Sequence, residues 1–165
     1  MSVNVSLVVS DNPDAYVLER ARSASIPVYI TKSKSSNDMD VELINELEKY
    51  DIDLIVLAGF LKMIGENLIE KYTIINTHPS LLPKFGGFGM YGMNVHKAVV
   101  ESGEKCSGVT VHYVNSKYDE GNIISQAKVI LEDGETPESL AKKVQDVEKP
   151  QLIEVIKNLS NKKNY

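Results

Sequence analysis

The strongest constraint on the fold is a short apolar run in the middle of the chain. Residues 53–59 are Asp-Leu-Ile-Val-Leu-Ala-Gly, with five consecutive apolar side chains. A strand with one solvent-exposed face alternates apolar and polar residues, so this run predicts a strand that is covered on both faces. Short β-branched runs and runs with helical spacing alternate along the rest of the chain. We therefore expect an α/β fold with a Rossmann-like, mostly parallel twisted sheet flanked by helices.

Local signals place the individual elements along the chain. Asn12 and Pro13 predict the start of the first helix, and Pro150 predicts a kink or break in the last one. The polar residues 32–39 predict a loop, and the Pro- and Gly-rich residues 77–91 predict an irregular segment. Strands are predicted at 3–9, 26–31, 53–59, 73–76, 109–114 and 123–131, and helices at 13–24, 41–50, 65–71, 92–102 and from 136 onward.

Length and composition bound the classes of protein that are possible. The 165 residues predict a single domain over residues 1–165, and 42% hydrophobic with 25% charged residues is typical of a folded globular chain. The apolar runs are too short to span a membrane. A net charge of −5 disfavours nucleic acid or an anionic membrane as the main partner. The start of the chain lacks a secretion pattern and Cys106 is the only cysteine, so we expect a cytoplasmic protein.

Asn76 and His78 are the first candidates for chemistry, because they follow a predicted strand at the edge where open α/β sheets bind ligands. Residues two apart in extended chain project the same way. An amide and an imidazole side by side are two donors that can converge on one oxyanion. The alternative interpretation is a strand end with local turn bonds, in which Pro79 shapes the bend. Spacing alone leaves both interpretations open.

Asp119 is the second candidate, in the loop segment Tyr118–Gly121. An aspartate near His78 would favour the imidazolium form and fix the tautomer of the ring. The alternative is a solvated turn, since Asp-x-Gly is ordinary turn chemistry. Residues 87–92 match the pattern G-x-G-x-x-G, but no strand precedes them, so they do not predict a dinucleotide site.

The histidines predict no metal site, because their spacings are not those of metal ligands. His96 falls in a predicted helix, and we expect it on the surface of that helix. His112 falls in a predicted strand, and we expect it in the core or in support of other site residues.

Four motifs occur in order along the chain: Asn76–Pro83, Gly92-x-x-Val-His96-Lys-Ala, Gly108–His112 and Asp119–Gly121. Together they resemble the glycinamide ribonucleotide formyltransferase family, and the resemblance covers nearly the whole chain. It implies a formyltransferase fold and transfer of a formyl group from 10-formyltetrahydrofolate to the amine of glycinamide ribonucleotide in purine biosynthesis. The partners would be small molecules, with the folate as formyl-donor cosubstrate and with no metal, nucleic acid or membrane.

The resemblance also implies roles for individual residues. Asn76 and His78 would be the catalytic pair, and Asp119 the carboxylate that completes the triad. Pro79 would lie against the ribonucleotide, and Glu148 would hold the substrate near its amine. One folate-binding segment would line the pterin pocket and a second would cover the other side of the folate: Leu61, Lys62, Met63 and Ile64 in the first, and Val114, Asn115, Ser116, Lys117 and Tyr118 in the second.

The sequence also departs from the family pattern. Members of the family open with another strand and a Gly-rich phosphate loop, and this sequence starts at what resembles their second strand. We therefore expect the first strand to be missing, which leaves the apolar run at residues 53–59 as an edge that self-association could shield. Thr77 stands where the family usually has an aliphatic residue, and Lys62 stands where an arginine is common.

Two other functions remain open at this point. Formyltetrahydrofolate deformylase passes the formyl group to water, but that family has an additional N-terminal domain and usually a histidine in place of Pro79. The other alternative is a non-catalytic remnant that binds folate or a partner and lacks the phosphate loop.

Overall fold

The computed structural model describes residues 3–33 and 35–162. They divide into two compact units. The larger unit contains residues 56–61 and 74–162, and the smaller contains residues 3–33, 35–55 and 62–73. The strands are β1 (Val8–Ser10), β2 (Val28–Ile30), β3 (Ile55–Leu57), β4 (Ile74–His78), β5 (Cys106–Tyr113) and β6 (Ile123–Ile130). The helices are α1 (Tyr16–Ser23), α2 (Ser36–Leu47), α3 (Glu66–Lys71), α4 (Met93–Glu101) and α5 (Pro137–Lys162).

The smaller unit contains a parallel pair, β1 with β2, together with α1, α2 and α3. β1 starts at Val8 and not at residue 3, since it pairs only along the three residues of β2. The predicted cap of α1 is also wrong. Asn12 Oδ1 accepts a hydrogen bond from Asp14 N at 2.9 Å in a tight turn, and α1 begins four residues later.

α2 begins earlier than the sequence pattern predicts. Ser35 caps it, with Oγ accepting from Asp38 N at 3.2 Å, so residues 36–39 are helical and not part of a loop. The buried positions Met39, Leu43 and Leu47 recur every four residues. Packing of this apolar stripe therefore outweighs the polar composition of the first turn.

The larger unit contains a sheet with the strand order β3-β4-β5-β6. β4 pairs antiparallel with β5, and β5 pairs antiparallel with β6, so the prediction of a mostly parallel sheet is wrong for these pairs. Only residues 114–122 join β5 to β6, and a connection without a crossover helix suits antiparallel strands. β3 is at one end of the strand order and its three residues are half-buried, although the apolar run predicts a strand covered on both faces.

The core of the larger unit lies between its sheet and helices α4 and α5. It consists of Val95, Val99, Val109, Val129, Leu140 and Val144. α5 runs on through Pro150, so of the predicted kink or break at this proline, the break does not occur. Val144 and Val155, on either side of the proline, are both buried, and this packing holds both halves of the helix. No helix in the described ranges is long and apolar enough to cross a membrane.

Candidate active site

Strand β4 carries the two polar residues that the sequence singles out. It extends to His78, two residues beyond the predicted end, because it pairs residue by residue with β5. Asn76 lies opposite His112, and His78 lies opposite Thr110. Directly opposed residues in a sheet share a face, so Asn76, His78 and His112 project to the same side.

Asp119 connects the two imidazoles of this face. Its Oδ2 lies 3.4 Å from His78 Nδ1, and its Oδ1 lies 3.5 Å from His112 Nε2. The backbone N–H of Gly87 donates to Oδ2 at 2.9 Å. Asp119 has a φ of +57°, a left-handed conformation that aspartate tolerates better than most residues. The structure therefore brings together the three residues that the sequence proposes as catalytic and adds His112 to them.

The hydrogen bonds of His112 determine how the Asn76 amide is oriented. His112 Nδ1 lies 2.8 Å from the carbonyl oxygen of Tyr113, which can only accept, so Nδ1 carries the proton. Nε2 then accepts from the Asn76 amide nitrogen at 3.1 Å. The second N–H of that amide has no role in this contact and remains available to a ligand.

The protonation of His78 reflects opposing effects. Its Nε2 lies 2.8 Å from the Phe85 carbonyl oxygen and its Nδ1 faces Asp119, so both nitrogens face acceptors. Burial is the largest effect and lowers the pKa of His78, Asp119 and the Phe85 carbonyl raise it, and His112 lowers it. The net pKa lies below the usual 6.5. Asp119 thus favours the imidazolium as expected, but burial prevails in the resting site.

The Asp119 carboxylate stays ionised over a wide range of pH. Burial raises its pKa, but the contact with His112, the hydrogen bond from the Gly87 N–H and the attraction of His78 lower it. The result is a pKa below the usual 3.8. A fixed negative charge therefore stands between two imidazole rings.

Beyond the end of β4 lies a second feature, an open groove of about 380 Å³ lined by residues of α4 and α5. The hydroxyl of Thr77 in β4 donates to Oε1 of Glu148, a residue of this groove, at 2.9 Å. The groove brings together Pro79 and Glu148, the two residues predicted to bind the substrate. Its full lining is Pro79, Gly92, Met93, His96, Ala141, Lys142, Val144, Gln145 and Glu148.

His96 is not on the helix surface as predicted. Its side chain is only 6% exposed, and it lines the groove from α4. Burial, and then the nearby His78, lower the pKa of His96. The signal that could have found it is its spacing from the buried residues Val95 and Val99 on the same helix.

The predicted folate-binding residues fall in different units. Leu61 is exposed and belongs to the larger unit, as do residues 114–118. Lys62, Met63 and Ile64 belong to the smaller unit, where Lys62 Nζ lies 3.2 Å from the Asp11 carboxylate and 3.3 Å from the Ser33 carbonyl oxygen.

The second segment predicted to bind folate, residues 114–118, is bonded to β4 at its first residue and contains a side-chain-capped turn. Val114 N donates to Ile74 O at 2.9 Å, and Lys117 N donates to Asn115 Oδ1 at 3.0 Å. The Tyr118 ring lies 6.1 Å from the exposed ring of Phe88.

Within residues 3–33 and 35–162, no group of three or more His, Cys, Asp or Glu side chains is placed to hold a metal ion. The side chains of the cluster themselves offer chemistry that can be described. An amide N–H, an imidazole and a fixed carboxylate at a strand end are the groups that stabilise an oxyanion and move a proton. The fold and the site together define a candidate acyl-group transferase.

Comparison with known proteins makes this class more specific. The formyl transferase family matches residues 1–156. The chain therefore belongs to the formyl transferase family.

Several relatives carry the same name. The chain is 44% identical over 163 residues to the chloroplastic phosphoribosylglycinamide formyltransferase of Arabidopsis thaliana, an alignment with 94% of this chain and 56% of the relative. It is 35% identical over 161 residues to the phosphoribosylglycinamide formyltransferase of Bacillus subtilis, with 94% of this chain and 80% of the relative. The chain thus spans little more than half the length of the plant relatives it matches.

Solved structures agree in fold. The phosphoribosylglycinamide formyltransferase from Streptococcus pneumoniae superposes with a TM-score of 0.84 at 34% identity, with 93% of this chain and 86% of the other covered. Glycinamide ribonucleotide transformylase 1 from Symbiobacterium toebii gives a TM-score of 0.84 at 35% identity, with coverages of 92% and 71%.

Proposed function

We propose that the chain transfers a formyl group from 10-formyltetrahydrofolate to the amine of glycinamide ribonucleotide in purine biosynthesis. The observation that carries the proposal is the cluster of Asn76, His78 and Asp119 at the end of β4. The similarity to relatives named phosphoribosylglycinamide formyltransferase supports the choice of substrate. The folate is the formyl-donor cosubstrate, and both partners are small molecules.

The reaction begins when the amine nitrogen of the ribonucleotide attacks the formyl carbon. A new C–N bond forms and the formyl oxygen becomes an oxyanion. The free amide N–H of Asn76 donates to that oxygen. The oxyanion then collapses, the bond from the formyl carbon to the folate nitrogen breaks, and that nitrogen takes up the proton that the amine loses.

His78 acts on the same oxyanion through Nε2. Its Nδ1 faces Asp119, so Nε2 is the nitrogen that can exchange the Phe85 carbonyl for the reacting oxygen. Because burial lowers the pKa of His78, the imidazolium is a good proton donor. The negative charge of Asp119 stabilises that imidazolium as the oxyanion develops.

The substrate-binding roles are part of the same proposal. Pro79 and Glu148 contact the ribonucleotide in the groove beside β4. Residues 61–64 and 114–118 bind the folate, as the resemblance implies. A single domain over residues 1–165 and a cytoplasmic location stay predictions.

The test separates the alternatives. Purified protein is titrated with a non-hydrolysable folate analogue and, separately, with glycinamide ribonucleotide while its melting temperature is recorded. Stabilisation by both, together with formyl transfer that requires the ribonucleotide, supports the proposal. Stabilisation by the folate alone favours the non-catalytic remnant, and formyl release to water without the ribonucleotide favours the deformylase.

A further inference from the structure

Thr77 is a buried residue whose hydroxyl bonds to a side chain far away in the sequence. Its side chain is 7% exposed, on the face of β4 that is turned away from His78. Its hydroxyl donates at 2.9 Å to Oε1 of Glu148, which is 71 residues away in the sequence and lies on α5. The residue opposite Thr77 in β5 is Val111, which has no polar atom in its side chain. The hydroxyl therefore points to Glu148, which itself lines the groove.

This contact restricts a flexible side chain. Ordering a glutamate costs up to about 2 kcal/mol of rotamer entropy, so an unconstrained Glu148 would sample several orientations in the groove. The strand holds Thr77 in place, and a β-branched residue has few χ1 rotamers. The bond from Thr77 thus fixes one oxygen of Glu148 and leaves Oε2 free for a ligand.

We propose that Thr77 is a positioning residue that orients the Glu148 carboxylate toward a hydrogen-bond donor of the ribonucleotide. The inference rests on the proposed function, because it assumes that the ribonucleotide occupies the groove. Thr77 itself acts through Glu148. It changes how tightly the substrate is held and leaves the reacting cluster on the other face of β4 untouched.

A double-mutant cycle tests this role. Thr77→Val keeps the β-branched shape and removes only the hydroxyl, and Thr77→Ser retains the hydroxyl. We expect Thr77→Val to raise KM for glycinamide ribonucleotide about three- to tenfold, the equivalent of one ordinary hydrogen bond. kcat and KM for the folate should stay within about twofold, and Thr77→Ser should recover most of the wild-type KM.

The cycle is completed in a Glu148→Ala background. If Thr77 acts through Glu148, Thr77→Val has less than about a twofold effect on KM there. Thr73→Val is the matched control, since Thr73 is exposed just before the same strand and should leave KM unchanged. An equal effect of Thr77→Val in both backgrounds, or a lowered melting temperature with no change in KM, overturns the inference.

The same set of variants can be compared by calorimetry, which measures the Kd for glycinamide ribonucleotide and does not require the reaction to proceed. A wild-type chain that binds the ribonucleotide but transfers no formyl group contradicts the proposed reaction, and the Kd ratios then decide the role of Thr77. A wild-type chain that transfers the formyl group with a KM insensitive to Thr77→Val overturns the inference alone. A chain that binds no ribonucleotide overturns both.

Discussion

Replacing Asp119 with asparagine removes the negative charge that lies between the His78 and His112 rings, and it changes the shape of the side chain very little. Asparagine tolerates the left-handed φ of +57° at this position. Its amide oxygen can also accept from the Gly87 N–H, which donates to Asp119 at 2.9 Å. We therefore expect Asp119→Asn to fold, and its defect to lie in the chemistry.

The expected magnitude follows from the geometry of the cluster. Unit charges 3.4 Å apart, the separation of His78 Nδ1 and Asp119 Oδ2, attract by about 5 kcal/mol at an effective dielectric constant of about 20. Burial already lowers the pKa of His78 despite this attraction. Without the carboxylate, the imidazolium loses its main support, and the loss of one such oxyanion donor costs about 10²–10³ in kcat.

The assay follows formyl transfer by the change in folate absorbance at saturating concentrations of both substrates. kcat should fall about 100- to 1,000-fold in Asp119→Asn with an unchanged circular dichroism spectrum. Asp133→Asn is the control, because its side chain is fully exposed in the turn after β6. A kcat within about threefold of wild type in a folded Asp119→Asn variant would refute the assignment of Asp119.

Three further predictions concern stability. In the folded chain the pKa of His78 lies below its ordinary 6.5 and that of Asp119 below its ordinary 3.8. On acidification the unfolded chain therefore takes up these protons first, and the free energy of unfolding falls. Urea unfolding should show stability falling on acidification, first below pH 6.5 and again below 3.8, and a maximum near pH 5 would contradict this. Burial raises the pKa of Glu42, but donors from Ser33, Lys32, Tyr29 and Thr31 lower it to about 2. Glu42→Gln should lower the free energy of unfolding by about 1–2 kcal/mol at neutral pH, a figure reduced for screening by solvent. In urea titrations the difference in unfolding free energy from wild type should disappear as the pH falls below 4.5. Gly108→Ala would place a Cβ 2.0 Å from the Ala127 carbonyl oxygen, so it should cost more than about 3 kcal/mol or prevent folding, as circular dichroism would show.

Local patterns predicted the elements that depend on local interactions. Helices α3 and α4 and strand β6 begin and end within one residue of the predicted bounds. The misplaced starts of β1 and α2 depend on a distant strand and on buried contacts. The direction of the sheet was predicted wrongly because alternating strands and helices favour parallel pairing, whereas β5 and β6 follow one another without a helix between them.

In the candidate site too, the residues that local patterns reveal differ from those that only distant contacts reveal. Asn76 and His78 could be found because their two-residue spacing in a strand implies a shared face. The part played by His112 depends on the register between β4 and β5, and the bond from Thr77 to Glu148 depends on how α5 packs. A single sequence encodes neither of these non-local contacts in any short pattern. The burial of His96 was missed for the same reason.

The two faces of β4 have a consequence for how such a protein evolves. Asn76 and His78 contact the cluster that includes His112 and Asp119, whereas Thr77 contacts Glu148 and Pro79 lines the groove. Under the proposed function, adjacent codons control different properties: one set affects the rate and the other the choice of ligand. We expect substitutions at positions 77 and 79 to change selectivity with little loss of rate, so these are the positions to diversify in a library that seeks new acceptors.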